Sequence, residues 1–336
     1  MKICLYSDVD VSNVHPVLGG GAKVSFEHQK KILEMRDIDY THDPGEDYDI
    51  LHINLLGPPA LYQIFKASRN DDVKIVVHTH LTAENFKGSY TGSSLLSPIV
   101  DIYTKYAYSR ADMLVAVSNY TKNIIKSKGI ETETLVISNG VDKEELEGFE
   151  QVNLSLENYD EESFNIVNLA AVFERKGVSE FINCAEEMED SKFYWFGPRH
   201  KFLTPRKTKK SIKSSPENIT FPGFVDDKRE AFKLGDVFLF PSRSEEEGMA
   251  ILEAAYCRMP IVVRDIPAYE GWLVHEENCL KAESKNEFIK QVKRLKENPD
   301  LREKLGANAK KMAEERTLDK IGEDLEGVYQ KLYNQE

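Results

Sequence analysis

The sequence has 336 residues, 41% hydrophobic and 30% charged, with a formal net charge of -13. That length exceeds one ordinary core and fits two α/β domains of roughly 150 residues each, which implies a cleft between them. The acidic balance argues against nucleic acid as a partner, since phosphate binding is driven by clustered Lys and Arg, and no run of eighteen apolar residues is present to span a bilayer.

The chain opens on MKICLYSDVD, one short apolar run that turns acidic and lacks the segments of a signal peptide, so a cytoplasmic protein is expected. Short apolar runs then alternate with amphipathic stretches, the βαβ pattern of parallel sheets covered on both faces. In the first half strands are predicted at Ile3–Ser7, Ile50–Asn54, Lys74–His78, Met113–Val117 and Thr134–Ile137, with helices at Ala22–Met35, Pro58–Ser68, Leu95–Ser109 and Tyr120–Lys128. The SNGVD turn at Ser138–Asp142 leads into an acidic, poorly periodic stretch, Lys143–Glu162, that reads as a linker. A second series follows, with strands at Phe164–Leu169, Lys192–Phe196, Val237–Phe240 and Ile261–Val263 and helices at Val178–Met188, Lys228–Leu234 and Met249–Cys257. From about Pro267 the chain is mostly helical and charged. The domains are therefore placed at 1–150 and 151–317, with a last helix over 318–336 expected to cross back onto the first domain. Cys4, Cys184, Cys257 and Cys279 are far apart and read as reduced, and the sequons at Asn119, Asn153 and Asn218 carry no weight without secretion.

Four motifs carry chemistry. Gly19-Gly20-Gly21-Ala22 leads into the first helix, but Val24 stands where a dinucleotide fingerprint needs its third glycine, and no GxxxxGK[ST] loop occurs. A plain glycine-rich turn is the other reading. VVHTHLTAENF ends a buried-type strand in His78 and His80, which share a face by the strand period of two. Zinc needs three or four protein ligands and no further His or Cys follows at a useful spacing, so no metal is expected, whereas a His at a strand's C-terminal end lies where open α/β sheets bind ligands. Arg175-Lys176-Gly177, between a strand and a helix, is either a solvated turn or a cation beside a leaving diphosphate. PSRSEEEGMAILEA, Pro241–Ala254, follows the strand VFLF. Gly248 there predicts a loop turning into a helix at about Met249, with Glu245 in the loop and Glu253 in an early helical turn. Amides near Gly248, Met249 and Ala250 would then form a diphosphate site at a helix N-terminus; an acidic helix cap is the alternative. Separately, RHKFLTPRKTKKSIK, Arg199–Lys213, carries seven Lys or Arg and no acid, and reads as a solvated loop or a contact for an anionic membrane.

With Glu245, Gly248 and Glu253 in the pattern Glu-x7-Glu with Gly three residues on, the chain resembles the retaining glycosyltransferases of family 4, whose GT-B architecture sets two Rossmann-like domains across a cleft. HIN at 52–54, SNGVD at 138–142, FYWFG at 193–197, FPGFV at 221–225, RDIPAYEGWL at 264–273 and ENC at 277–279 extend the resemblance over most of the chain, towards bacterial synthases that add a second hexose to monoglycosyl-diacylglycerol. It implies an N-terminal acceptor domain and a C-terminal nucleotide-sugar domain. Glu245 would contact the transferred sugar and Glu253 the ribose. Lys176 would neutralise the diphosphate, with Arg175 standing in for the arginine the family carries where this chain has Ala171. His80 would reach the donor sugar, Gly20 and Gly21 the cleft and acceptor, and Phe224 and Val225 the base. The resemblance further implies a UDP-hexose donor, glucose before galactose, no Mg²⁺ or other cofactor, and a glycolipid acceptor at the inner membrane face. A soluble sugar or polysaccharide acceptor and a GT-B nucleotide-sugar epimerase are the alternatives. A glycogen-type phosphorylase would need a longer chain with a pyridoxal lysine, an NAD-dependent oxidoreductase its missing fingerprint, and a lectin would have no use for Glu245, Glu253 and Lys176 together.

Overall fold

The computed structural model describes residues 1–8, 16–86, 93–156, 159–160, 162–199 and 204–334. They form two compact units: one runs up to Gly140 and includes the segment from Arg316 onward, and the other spans Val141–Glu315.

The first unit is built on a parallel sheet of β1 (Lys2–Ser7), β2 (Asp39–Thr41), β3 (Ile50–Leu55), β4 (Lys74–His78), β5 (Met113–Ala116) and β6 (Thr134–Val136), in the order β2-β1-β3-β4-β5-β6. Alternation along each strand feeds two cores. Ile3, Leu5, Ile50, Val76, Met113 and Val115 point to one face, where Leu318, Ile321, Leu325, Val328, Tyr329 and Leu332 of the helix Leu318–Tyr333 cover them. Cys4, Leu51, Ile53, Ile75, Val77 and Leu114 point to the other, under the helices Pro58–Ala67 and Ser93–Tyr108.

The second unit carries β7 (Phe164–Leu169), β8 (Ser191–Phe196), β9 (Ile219–Gly223), β10 (Val237–Phe240), β11 (Ile261–Arg264) and β12 (Leu280–Ala282), again all parallel, in the order β9-β8-β7-β10-β11-β12. Counted from β7, that is the dinucleotide-fold order 3-2-1-4-5-6, in which chain direction across the sheet reverses between β7 and β10. Ligands bind such sheets outside the strand C-termini at the reversal.

Three strands escape the apolar-run reading, β2, β9 and β12, and all lie at sheet edges. β2 is short and half exposed, β9 holds Pro222 and Gly223, which an edge tolerates, and β12 is only LKA. The stretch after Asp142 is not a loose tether. It forms the helix Lys143–Leu146 and a 3₁₀ turn, Phe149–Gln151, and Arg229 and Lys233 donate to the carbonyls of Glu147 and Val152 at 2.9 and 2.6 Å. The basic segment is also more ordered than a loop: Arg206–Lys213 is helical, while residues 200–203 lie outside the described residues.

Candidate active site

At the β7/β10 reversal two loops pack backbone to backbone. The chain leaves β7, makes a 3₁₀ turn over Glu174–Lys176, and enters the helix Val178–Glu186 through Gly177 at φ 86°. A Cβ on Gly177 would stand 2.4 Å from the Pro241 carbonyl oxygen, so only glycine permits both the left-handed turn and this approach. The Arg243 amide donates to the Arg175 carbonyl at 2.8 Å, and Ser242 Oγ lies 3.3 Å from the same oxygen. This seam fixes the side chains above it.

Lys176 Nζ donates to Glu245 Oε1 at 2.5 Å, and Ser242 Oγ donates to the same oxygen at 2.5 Å. The Arg175 guanidinium bonds the Ser244 carbonyl and keeps Nη1 3.7 Å from Glu245 Oε1. Burial pushes the Glu245 carboxyl up, but Lys176, Arg175 and the Ser242 hydroxyl outweigh it and hold the pKa below the usual glutamate value. Burial, with Arg175 adding to it and Glu245 opposing, lowers the Lys176 pKa. The site thus concentrates two cations on one ionised carboxylate.

Gly248, at φ 96°, starts the helix Met249–Tyr256 and has no side chain with which to cap it, so the first amides, those of Met249 and Ala250, sit at an uncapped positive helix end. One turn on, buried Glu253 accepts from Lys228 Nζ at 2.8 Å, and Lys228 also reaches Glu145 Oε2 at 2.5 Å. Burial disfavours the Lys228 charge, yet Glu253 and Glu145 raise its pKa above the ordinary lysine value. Near Gly248 the buried Tyr269 hydroxyl has no hydrogen-bond partner among the described residues, and burial drives its pKa upward. Phe224 is exposed just beyond β9, with Val225 partly buried beside it.

In the first unit, His80 follows the end of β4 and its Nε2 bonds Ser25 Oγ at 2.9 Å. Its ring stacks on His78 at 4.8 Å between centroids, so the two rings do meet although the strand stops at His78. A third histidine joins them from the neighbouring strand. Buried Tyr329 donates to His52 Nδ1 at 2.6 Å, which leaves the His52 proton on Nε2 to be donated to His78 Nδ1 at 3.1 Å; Gln29 donates to that same nitrogen at 2.8 Å. His78 Nε2 is then a buried donor with no partner among the described residues. Burial pushes His52 down to about 3 and His80 to about 4, and lowers His78 as well. All three are neutral when folded, whereas the unfolded chain takes up their protons below about pH 6.5. Stability from this cluster is therefore full above that pH and falls as the pH drops towards 4. Urea midpoints measured between pH 7.5 and 5 are expected to decrease, with a smaller decrease in His52→Gln.

Gly20 and Gly21 take a different backbone conformation from the one expected. The first helix begins at Pro16, not Ala22, and runs to Met35, so both glycines are helical residues rather than an open loop. Proline starts a helix well, and each glycine costs it only about 1 kcal/mol.

The description "Glycosyl transferases group 1" fits residues 155–312, and "Glycosyltransferase Family 4" fits residues 35–145. The chain is 32% identical over 339 residues to the processive diacylglycerol alpha-glucosyltransferase of Acholeplasma laidlawii, covering 99% of this chain and 98% of the relative. It belongs to glycosyltransferase family 4. The transferase is also 28% identical to the alpha-galactosylglucosyldiacylglycerol synthase of Streptococcus pneumoniae, over 92% of this chain and 86% of that protein. Anabaena HepE, solved with UDP-glucose, superposes with a TM-score of 0.74 at 16% identity, over 98% of this chain and 100% of its own. A sucrose-phosphate synthase from Thermosynechococcus elongatus gives 0.74 at 13% identity, over 94% and 80%. With the two parallel sheets, these likenesses make the fold of the transferase GT-B.

In the transferase, Lys176, Arg175 and Glu245 meet at one point, and Gly248, Met249, Ala250 and Glu253 share one helix start. His80 belongs to the other unit. Ser242, Lys228, Tyr269 and His52 escaped the sequence reading. Ser242 and Tyr269 lie inside quoted motifs but are residue types with many uses, and Lys228 and His52 gain meaning only from partners 25 and 26 residues away.

Proposed function

We propose that the transferase moves a hexose, glucose or galactose, from its UDP conjugate to a hydroxyl of a monoglycosyl-diacylglycerol, with retention at the anomeric carbon. The observation that carries the donor half is the convergence of Lys176, Arg175 and Ser242 on Glu245 at the β7/β10 reversal, beside an uncapped helix start. A donor diphosphate would be met by the Lys176 ammonium and the amides of Met249 and Ala250, and Arg175 supplies the second cation that Ala171 does not. The described contacts of Glu245 fall on Oε1, so Oε2 is available to accept a sugar hydroxyl. Glu253, aligned by Lys228, would take the ribose hydroxyls. No carboxylate is assigned here as a covalent nucleophile; the leaving phosphate oxygen itself receives the acceptor's proton on the face it departs, and protein charge stabilises the separation. These cations do the work of a metal, and the reaction is proposed to need none. The acceptor half is supported by the two diacylglycerol-active relatives.

A screen of nucleotide sugars for hydrolysis and for transfer to monoglucosyl-diacylglycerol tests the reading. UDP-glucose or UDP-galactose should yield a diglycosyl lipid; transfer only to soluble sugars, or epimerisation without an acceptor, would refute it. Glu253→Ala should weaken UDP binding by about 10- to 100-fold, as loss of hydrogen bonds to a charged group does. Calorimetry showing unchanged affinity would remove the ribose role.

A further inference from the structure

Three buried polar side chains surround His80 Nε2, and their protons can be counted. Ser25 lies on the helix Pro16–Met35, Gln29 one turn further along it, and Asn54 on β3. Gln29 Nε2 lies 3.4 Å and Asn54 Nδ2 3.3 Å from Ser25 Oγ, and His80 Nε2 lies 2.9 Å from the same oxygen. An amide NH2 can only donate, whereas a hydroxyl has two lone pairs and one proton. The two amides therefore take both lone pairs of Ser25, and its proton goes to His80 Nε2. Asn54 Nδ2, 3.5 Å from that nitrogen, is a second donor on the same side.

A ring nitrogen that accepts cannot also carry the proton of a neutral imidazole. Desolvation keeps His80 neutral, with its pKa pushed down to about 4, so its proton sits on Nδ1. Stacking on His78, at 4.8 Å and 10° between planes, fixes the ring as well. Among the described residues nothing bonds His80 Nδ1. His80 is also partly exposed, unlike Ser25, Gln29, Asn54 and His78, and it follows the C-terminal end of β4, the rim where open α/β sheets take ligands.

We propose that Ser25 is a positioning residue that fixes the His80 tautomer, so that His80 meets a hexose hydroxyl as a neutral N–H donor through Nδ1. In this role His80 takes no proton from the acceptor. The hydroxyl as ligand rests on the proposed hexosyl transfer, in which the departing phosphate already receives that proton; the tautomer itself does not rest on it. A metal ion would meet a hydrogen at Nδ1 where it needs a lone pair, and an anion would find no charge to pair with.

Long-range ¹⁵N–¹H correlation spectra of the full chain, labelled in its histidines, read the tautomer without any substrate. The His80 signals are those missing from His80→Asn. In the parent the proton should be on Nδ1 and Nε2 should be bare, and Ser25→Ala should show a mixture with the Nε2–H form. A parent ring protonated on Nε2, or an unchanged tautomer in Ser25→Ala, would overturn the proposal. In kinetics, Ser25→Ala should lower kcat for UDP-hexose turnover by about tenfold while UDP affinity stays within about twofold, which also shows the variant to be folded. Of two neutral replacements, His80→Asn, whose amide stands near the place of Nδ1, should turn over donor about tenfold faster than His80→Gln, whose amide reaches the place of Nε2. An unchanged kcat in Ser25→Ala, or the reverse order of the two His80 variants, would overturn the role of Nδ1. Donor hydrolysis and spectra as expected, with no glycolipid product, would uphold the Ser25 role and sink the acceptor reading separately.

Discussion

Lys176→Ala is expected to lower kcat by about 100- to 1000-fold while changing UDP-hexose affinity by less than about tenfold. The size follows from removing one preorganised charge at the point where negative charge develops. The split follows from timing: the bound diphosphate already has the Met249 and Ala250 amides and Arg175, whereas the charge that Lys176 answers grows as the glycosidic bond breaks. Glu245 keeps Ser242 and Arg175 as partners in the variant, so the carboxylate is not stranded and the fold should survive. Steady-state kinetics at saturating donor read this directly, and an unchanged kcat would remove Lys176 from the chemistry.

Gly177→Ala is expected to be the most damaging single methyl group in the site. Its Cβ would lie 2.4 Å from the Pro241 carbonyl oxygen and 2.7 Å from Pro241 Cγ, at a backbone φ of 86° that side chains seldom adopt. Strain of this kind costs about 1–3 kcal/mol before any clash is counted, and backbone on one side of the contact leaves little to give way. The loops must part, and with them Lys176 from Glu245. A loss of about 3 kcal/mol or more in denaturant unfolding, with activity falling alongside, is the expected result. Gly129→Ala, where a Cβ meets nothing within 4 Å at a similar φ of 71°, separates backbone strain from the seam: it should cost stability but not activity.

Much of this architecture can be read in the chain because parallel strands buried on both faces leave unbroken apolar runs, as in KIVVH and VFLF. The edge strands β2, β9 and β12 leave none, since half their surface faces water or a turn. The glycines at 19–21 mislead for a different reason: glycine marks freedom, and a helix started by Pro16 and held by later packing can absorb it. At the site, spacing along one segment picks out Glu245, Gly248 and Glu253, because a loop entering a helix maps sequence distance onto geometry. It does not reveal that Lys176 joins Ser242 on one oxygen of Glu245, a contact across 69 residues made by the β7/β10 register. The histidine chain is similar. His78 and His80 are two residues apart in sequence, but His52 and Tyr329 reach them from another strand and from the last helix.

Retaining transfer to a glycolipid is tested most directly by a proton NMR time course with UDP-glucose and UDP-galactose, each supplied with monoglucosyl-diacylglycerol in mixed micelles without divalent metal. One of these donors should be consumed, with release of UDP and a new diglycosyl lipid whose added anomeric proton shows the small coupling of an α-linkage. A β-linked product, or no glycolipid product from either donor while a soluble acceptor is glycosylated, would contradict it.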